Sequence, residues 1–296
     1  MVPASRVRDV GDMTRIENDP VRTRHTTVLI SPAMGVPARV YRRLTEALSR
    51  AGFDVVIVPR RGIEEGSEPP SRRSDWSYAD EADDLADAVT AARNETPEMR
   101  VLVLGHSLGA QLAAVVASRT DQAPDGVVAI GASVPHFRHY GARGIPLAAL
   151  AASVTPVAAV LGRWPRRGFG GPTPRTLMRE WARMVLTGWA PFALDSRMRL
   201  PALSIRLHDD EVVSGRAADA YDAAFDKDAM STLCYRASDG PAAGVATHLG
   251  WTRTPDGIVE LIARWWKSHA VQEPDRDSTR SRVRTAVRSA QAPVAR

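Results

Sequence analysis

Arg100-Val101-Leu102-Val103-Leu104-Gly105-His106-Ser107-Leu108-Gly109-Ala110-Gln111-Leu112-Ala113-Ala114-Val115-Val116 is the stretch on which the reading of this chain turns. It opens with an apolar run rich in β-branched residues, which predicts a buried strand. It closes with an apolar run from Leu108 to Ser118 that predicts a helix. Between them, Gly105-His106-Ser107-Leu108-Gly109 follows the pattern G-x-S-x-G. A serine between a strand and a helix sits on a strained turn that exposes its hydroxyl at the top of a sheet, and small flanking residues avoid clashes there. The five-residue pattern is weak alone; the strand before it and the helix after it are the context that gives it meaning. Ser107 is therefore the candidate nucleophile.

Working outward, Thr26-Thr27-Val28-Leu29-Ile30-Ser31 predicts a strand and Pro37 to Arg50 a helix, with Val40, Leu44, Ala47 and Leu48 on one face. Phe53 to Val58 predicts the next strand, followed by a polar Gly/Pro-rich loop to Ser74. Ser77 and Asp80 form a capping-box-like helix start, and Ala82, Leu85, Ala86 and Val89 continue one face. After the serine turn comes strand Gly126–Ile130. Strand and helix alternation of this kind implies parallel strands joined by crossover helices, hence an α/β fold with a mostly parallel central sheet and helices on both faces. The alternation stops from His136 to Leu200, a helix-like stretch read as a cap inserted before the next strand, Ala202–Leu207. It resumes with helix Arg216–Phe225, strand Thr232–Arg236 and helix Pro255–His269. The expected organisation is a short N-terminal segment (1–25), one domain (26–270, cap about 136–200) and an Arg-rich tail (271–296).

A serine hydroxyl needs a base and an acid that orients it. On this strand-turn-helix scaffold the chain order is serine, acid, histidine. Of seven histidines, His248 lies in a glycine-containing loop, Gly244 to Gly250, between the last strand and last helix, where a base facing the turn belongs. The acid should follow strand Ala202–Leu207, where the chain reads His208-Asp209-Asp210-Glu211; Asp210 is the first choice and Asp209 the alternative. Two backbone N–H groups should hold the developing oxyanion, one from Leu108 and one from the loop after the first strand. In Ser31-Pro32-Ala33-Met34-Gly35, Pro32 has no N–H, so Met34 is chosen and Ala33 held in reserve. His106 reads as a structural turn residue, Cys234 as strand core, and Trp164, Trp181 and Trp189 as cap packing. No Gly-rich phosphate loop, Cys-x-x-Cys or His-x-x-x-His spacing is present, so neither cofactor nor metal is expected.

Composition adds limits. The chain has 296 residues, 44% hydrophobic and 25% charged, ordinary globular usage. Its single cysteine permits no internal disulfide, and no apolar leader opens the sequence, so a cytoplasmic location is expected. Of the net charge of +5, +3 lies in the tail, which lacks apolar periodicity and is expected to be disordered. Nucleic acid is not an expected partner. Gly144 to Gly162 is mostly apolar but contains Pro146, Ser153, Thr155 and Pro156, so one or two packed helices are expected there and no stable membrane insertion, with a shallow membrane contact as the lesser alternative.

With these residues in view, the chain resembles α/β-hydrolase family proteins, close to a bacterial branch with a "PAMGV" loop and an acid loop ending "DDE". The residues that carry the resemblance are Pro32-Ala33-Met34-Gly35-Val36, Arg61-Gly62-Ile63, Gly105 to Gly109, Arg179-Glu180-Trp181-Ala182, Asp209-Asp210-Glu211 and His248-Leu249-Gly250. It departs at Pro59-Arg60, at Ser214 and in residues 1–25, which are short and polar for the family's opening hairpin. The resemblance implies a cofactor-free serine triad acting on a small-molecule or acyl substrate: hydrolysis of a carboxylic ester or thioester, with acyl transfer or non-catalytic ligand binding as alternatives. In that pattern the acid is followed by apolar residues that tuck under the sheet, which favours Asp210 with Val212 and Val213 after it. Serine at the elbow argues against dehalogenase or epoxide-hydrolase chemistry, which uses aspartate there.

Overall fold

Along each central strand, alternate residues enter different cores. Val28 and Ile30, Leu102 and Leu104, and Val128 and Ile130 pack on one side, while Leu29, Val101, Val103, Val127 and Ala129 pack on the other. This is the period of two expected for strands buried on both faces. The computed structural model describes residues 26–270 except 120, 166–170, 193–196 and 240–243. The expectations for residues 1–25 and for the 271–296 tail fall outside the described residues.

The elements in chain order are β1 (Thr26–Ser31), α1 (Arg42–Arg50), β2 (Asp54–Ile57), α2 (Tyr78–Glu95), β3 (Arg100–His106), α3 (Leu108–Ala117) and β4 (Gly126–Ile130). They continue with α4 (Gly144–Leu161), β5 (Arg163–Trp164), β6 (Thr173–Pro174), α5 (Arg175–Thr187), β7 (Ala202–Leu207), α6 (Gly215–Asp222), β8 (Met230–Tyr235) and α7 (Asp256–Ala270). Six strands form one parallel sheet in the order β2-β1-β3-β4-β7-β8. Residues of α1 and α7 (Leu44, Leu48, Ile258, Ile262, Trp266) cover one face, and residues of α2, α3 and α6 (Leu85, Val89, Leu112, Val116, Tyr221) cover the other. The capping box read at Ser77 and Asp80 is present at the start of α2.

The register aligns the carboxyl ends of the strands: Ser31 pairs with Gly105, His106 with Ile130, and Ile130 with Ile205. The chain leaves β1 for β2 on one side and returns to β3 on the other. The loops after β1 and β3 therefore part at the point where an open α/β sheet holds its ligands.

Between β4 and β7 lie α4, a two-stranded antiparallel β5–β6 ribbon and α5. The inner side of α5 is buried through Leu177, Trp181 and Val185. The packed character expected of Gly144–Gly162 needs correction. One helix forms, but only Gly144, Ala151, Val154 and Ala158 of it are buried. Cys234, read as core, is half-buried on β8. Trp189, read as packing, is also half-buried and lies under the Arg183 guanidinium, 4.4 Å from its ring centroid.

Candidate active site

Ser107 is the one described non-glycine residue with positive φ, at φ 54° and ψ −114°. The fold enforces this by close approach. A Cβ on Gly109 would meet the Ser31 carbonyl oxygen at 1.9 Å, and a Cβ on Gly105 would meet Ala110 backbone at 2.4 Å. Only glycine lets α3 start this close to the ends of β1 and β3. The Ser107 N–H donates to the Ile130 carbonyl (2.9 Å), tying the turn to β4.

Asp210 follows β7 and His248 precedes the short helix Gly250–Arg253. The His248 Nδ1–H donates to Asp210 Oδ2 at 2.8 Å, with the aspartate side chain 4% exposed. The other oxygen, Oδ1, accepts the backbone N–H groups of Val212 (2.8 Å) and Val213 (3.0 Å). Three hydrogen bonds thus fix the carboxylate and keep it a good acceptor. Asp209 is exposed, and its N–H donates to the Ala246 carbonyl (3.1 Å). The structure therefore brings Asp210 to His248, for a different reason from the one the sequence suggested. Val212 is 52% exposed and does not tuck under the sheet; it and Val213 serve through their main chains.

Ser107 and His248 line one cavity of about 430 Å³ with Met34, Tyr140, Leu147 and Trp181. Its wall thus comes from the sheet's carboxyl edge and from the inserted helices. The Ala33 N–H donates to the Tyr41 hydroxyl (2.8 Å), so Ala33 has no N–H left for an oxyanion. Met34 and Leu108 both reach the cavity, with no partner for either N–H among the described residues. Tyr140, also on the wall, has its phenol pushed up to about 12, chiefly by burial and also by the Asp210 charge, with a bond to Ser133 opposing.

Two features escaped the sequence. The first is a buried polar chain under the site. Burial holds His106 neutral, pushed down to about 3 from an ordinary 6.5. Its Nε2 lies 2.8 Å from the His248 carbonyl oxygen, which can only accept, so Nε2 carries the proton. Nδ1 is then an acceptor and takes the Tyr41 O–H at 2.8 Å, while the same Tyr41 oxygen accepts the Ala33 N–H. Loop 33, the serine turn and loop 248 are thus linked by three consecutive hydrogen bonds. His106 is more than the turn residue its position suggested. A signal was available: Tyr41 lies three residues before Leu44 on the buried face of its helix, and a buried phenol requires a partner. The second feature is Gly131, after β4, with φ 57°. A Cβ there would meet the His248 ring at 3.1 and 3.2 Å and Asp210 Oδ2 at 3.4 Å.

Comparison with known proteins bears on the fold. A family model described as serine aminopeptidase, S33 (Hydrolase_4) matches residues 22–167, which include the serine turn but stop before Asp210 and His248. Among solved structures, one of the metagenome-derived lipolytic enzymes LipS and LipT is similar at 17% identity and TM-score 0.58, covering 84% of this chain and 94% of its own. A hydrolase from Pseudomonas aeruginosa PA01 is similar at 17% identity and TM-score 0.54, covering 81% and 89%. A monoacylglycerol lipase from Paleococcus ferrophilus is similar at 16% identity and TM-score 0.52, covering 81% and 94%. At these identities the likeness is one of fold. No curated protein matches in sequence.

Proposed function

Because this chain is an α/β-hydrolase, by its fold and by the family model it matches, we propose that it cleaves a carboxylic ester or thioester of a small or acyl-chain substrate through an acyl-serine intermediate on Ser107. The observation that carries this reading is a serine held at positive φ, sharing a cavity with a histidine whose Nδ1–H is bonded to a buried aspartate. With Nδ1 donating, His248 Nε2 keeps the lone pair that removes the Ser107 proton as Oγ attacks the carbonyl carbon. The carbonyl π electrons move onto oxygen, where the Met34 and Leu108 N–H groups stabilise the charge. Collapse expels the alkoxide or thiolate, which takes its proton from the His248 imidazolium. Water then repeats the sequence on the acyl-serine and releases the acid. Asp210 stays ionised throughout and supports the imidazolium.

Ester substrates are favoured over amides because the similar structures include lipolytic enzymes and a monoacylglycerol lipase. A fluorophosphonate probe read by intact mass tests the nucleophile. The natural sequence should gain one phosphonyl group and Ser107→Ala none, with circular dichroism unchanged. Labelling that persists in Ser107→Ala would overturn the assignment. A p-nitrophenyl ester series then reads acyl length. Faster turnover of an amino-acid arylamide than of any ester in that series would turn the reading to an aminopeptidase.

A further inference from the structure

Helix α4 contains no charged residue across its 18 positions, yet most of it faces outward. Along α4 Ile145 is 74% exposed, Val160 71%, Leu161 53% and Leu150 39%. A helix that is apolar all round belongs in a core or a membrane environment, and contiguous apolar surface on a folded domain marks an interaction site.

Charge says which partner. From Gly126 to Arg179 the sequence carries seven arginines and not one aspartate or glutamate. Arg138 and Arg143 are exposed before and at the start of α4, and Arg72 and Arg163 are exposed at its far end, where the Arg72 guanidinium donates to the Val160 carbonyl. Cations near the first turn oppose the helix dipole, so the N-terminal pair does not serve helix stability. Among nearby carboxylates, Asp75 binds Arg175 and Thr176 and Glu180 accepts the Tyr78 N–H, while Glu211 is exposed on the cavity that Arg143 and Leu147 also line. An uncharged apolar helix ringed by arginines matches an anionic lipid surface, with the apolar face below the headgroups and the guanidinium groups among the phosphates.

The helix does not span. Phe137–Leu161 is long and apolar enough to cross a membrane by length and composition, but Ala151, Val154 and Ala158 fasten one side of α4 to the domain. We propose that α4 is a docking surface for anionic membranes, on which the protein lies with the mouth of the Ser107 cavity beside the lipid. Arg143 and Leu147 border both the helix and that cavity. That the bilayer also delivers the substrate rests on the hydrolase reading; the docking does not.

The test is flotation of the full chain, as Ser107→Ala so that turnover plays no part, with phosphatidylcholine vesicles and with vesicles also containing phosphatidylglycerol. Partition onto the anionic vesicles should exceed that onto phosphatidylcholine by at least about tenfold and weaken with added salt. Ile145→Ser/Val160→Ser and Arg138→Glu/Arg163→Glu should each lower it by about tenfold or more. Both pairs are exposed, so their circular dichroism, and their rate on a soluble acetyl ester when made in the chain that keeps Ser107, should hold. Equal partition of variants and parent, or no preference for anionic vesicles, overturns the proposal. So does a concentration-dependent dimer, seen by light scattering, that Ile145→Ser/Val160→Ser dissolves while vesicles stay unbound; the occupant would then be a second copy. Loss of ester hydrolysis with docking intact would fault the reaction and not the surface.

Discussion

The floor and the roof of the Ser107 cavity are built on different physics. In the floor, each reactive group is fixed by directional contacts: Asp210 by three hydrogen bonds, loop 248 through His106, loop 33 through Tyr41, and Ser107 by glycines that admit no Cβ. The roof meets the cavity through the apolar side chains of Leu147 and Trp181; hydrogen bonds tie α5 to Asp75, Trp76 and Tyr78, and much of α4 is uncovered. Hydrogen bonds in a buried site hold positions to fractions of an ångström, whereas apolar contact tolerates exchange of shape. Damage to the floor should therefore fall on kcat, and damage to the roof on substrate choice.

The largest separation is expected at the acid. Asp210→Asn should lose at least about a hundredfold in kcat, since a shape-matched amide disturbs the imidazole tautomer and leaves the imidazolium unsupported. Asp209→Asn should lose less than about tenfold, a gap of over about 1 kcal/mol in barrier. A crippled Asp209→Asn beside a healthy Asp210→Asn would break the assignment of the floor.

Gly131→Ala should come next. Its Cβ crowds the His248 ring and Asp210, and alanine pays about 1–2 kcal/mol at positive φ. A fall in kcat of about ten- to a hundredfold with near-constant KM is expected; an unchanged kcat would show that His248 moves aside freely.

Tyr41→Phe removes one oxygen and with it two hydrogen bonds. About tenfold loss in kcat is expected at unchanged KM, together with about 1–3 kcal/mol of stability from the groups left unpaired. The same chain makes the protein acid-sensitive. The folded protein keeps His106 neutral down to about pH 3, whereas the unfolded chain protonates it near 6.5. Between these values the unfolded state binds the extra proton, so stability should fall as pH drops through that window. Denaturant midpoints from pH 7 to pH 4 check this, and His106→Gln should flatten the slope.

The smallest effect is expected from the roof. Leu147→Ala should shift the preferred acyl length in the p-nitrophenyl series by a few-fold in kcat/KM while the acetyl ester rate stays within about twofold. An equal loss on all chain lengths would mean that the roof also positions the chemistry.

The same divide explains what could be read from the sequence. The serine turn, its strand and helix, and the alternation around them are local, and periodicity records them. Register then followed, because a parallel sheet aligns its carboxyl ends and leaves few places for an acid and a base. What periodicity cannot record is a contact between distant segments. Gly131 is a plain glycine after a strand until the His248 ring is set against it, and the Tyr41–His106 bond joins residues 65 apart. Val212 and Val213 misled because their apolar side chains drew attention from their N–H groups. In α4, composition pointed to burial that the fold does not supply, since exposure depends on neighbours the helix does not itself encode.

The all-parallel sheet also sets the order in which the molecule can come into being. No two adjacent strands of this sheet are joined by a tight hairpin; each pairing must wait for a crossover to close. The loops that meet at Ser107 leave β1, β3, β7 and β8, which lie from one end of the described chain almost to the other. Such non-local topologies fold slowly. A chain with β1 to β4 in place would already own the Ser107 turn while lacking the proposed acid and base, Asp210 and His248. During dilution from denaturant, helical signal should return first and reactivity towards the fluorophosphonate last, giving a lag that reports the docking of β7 and β8. A newly made copy would thus stay catalytically silent until its final strands close.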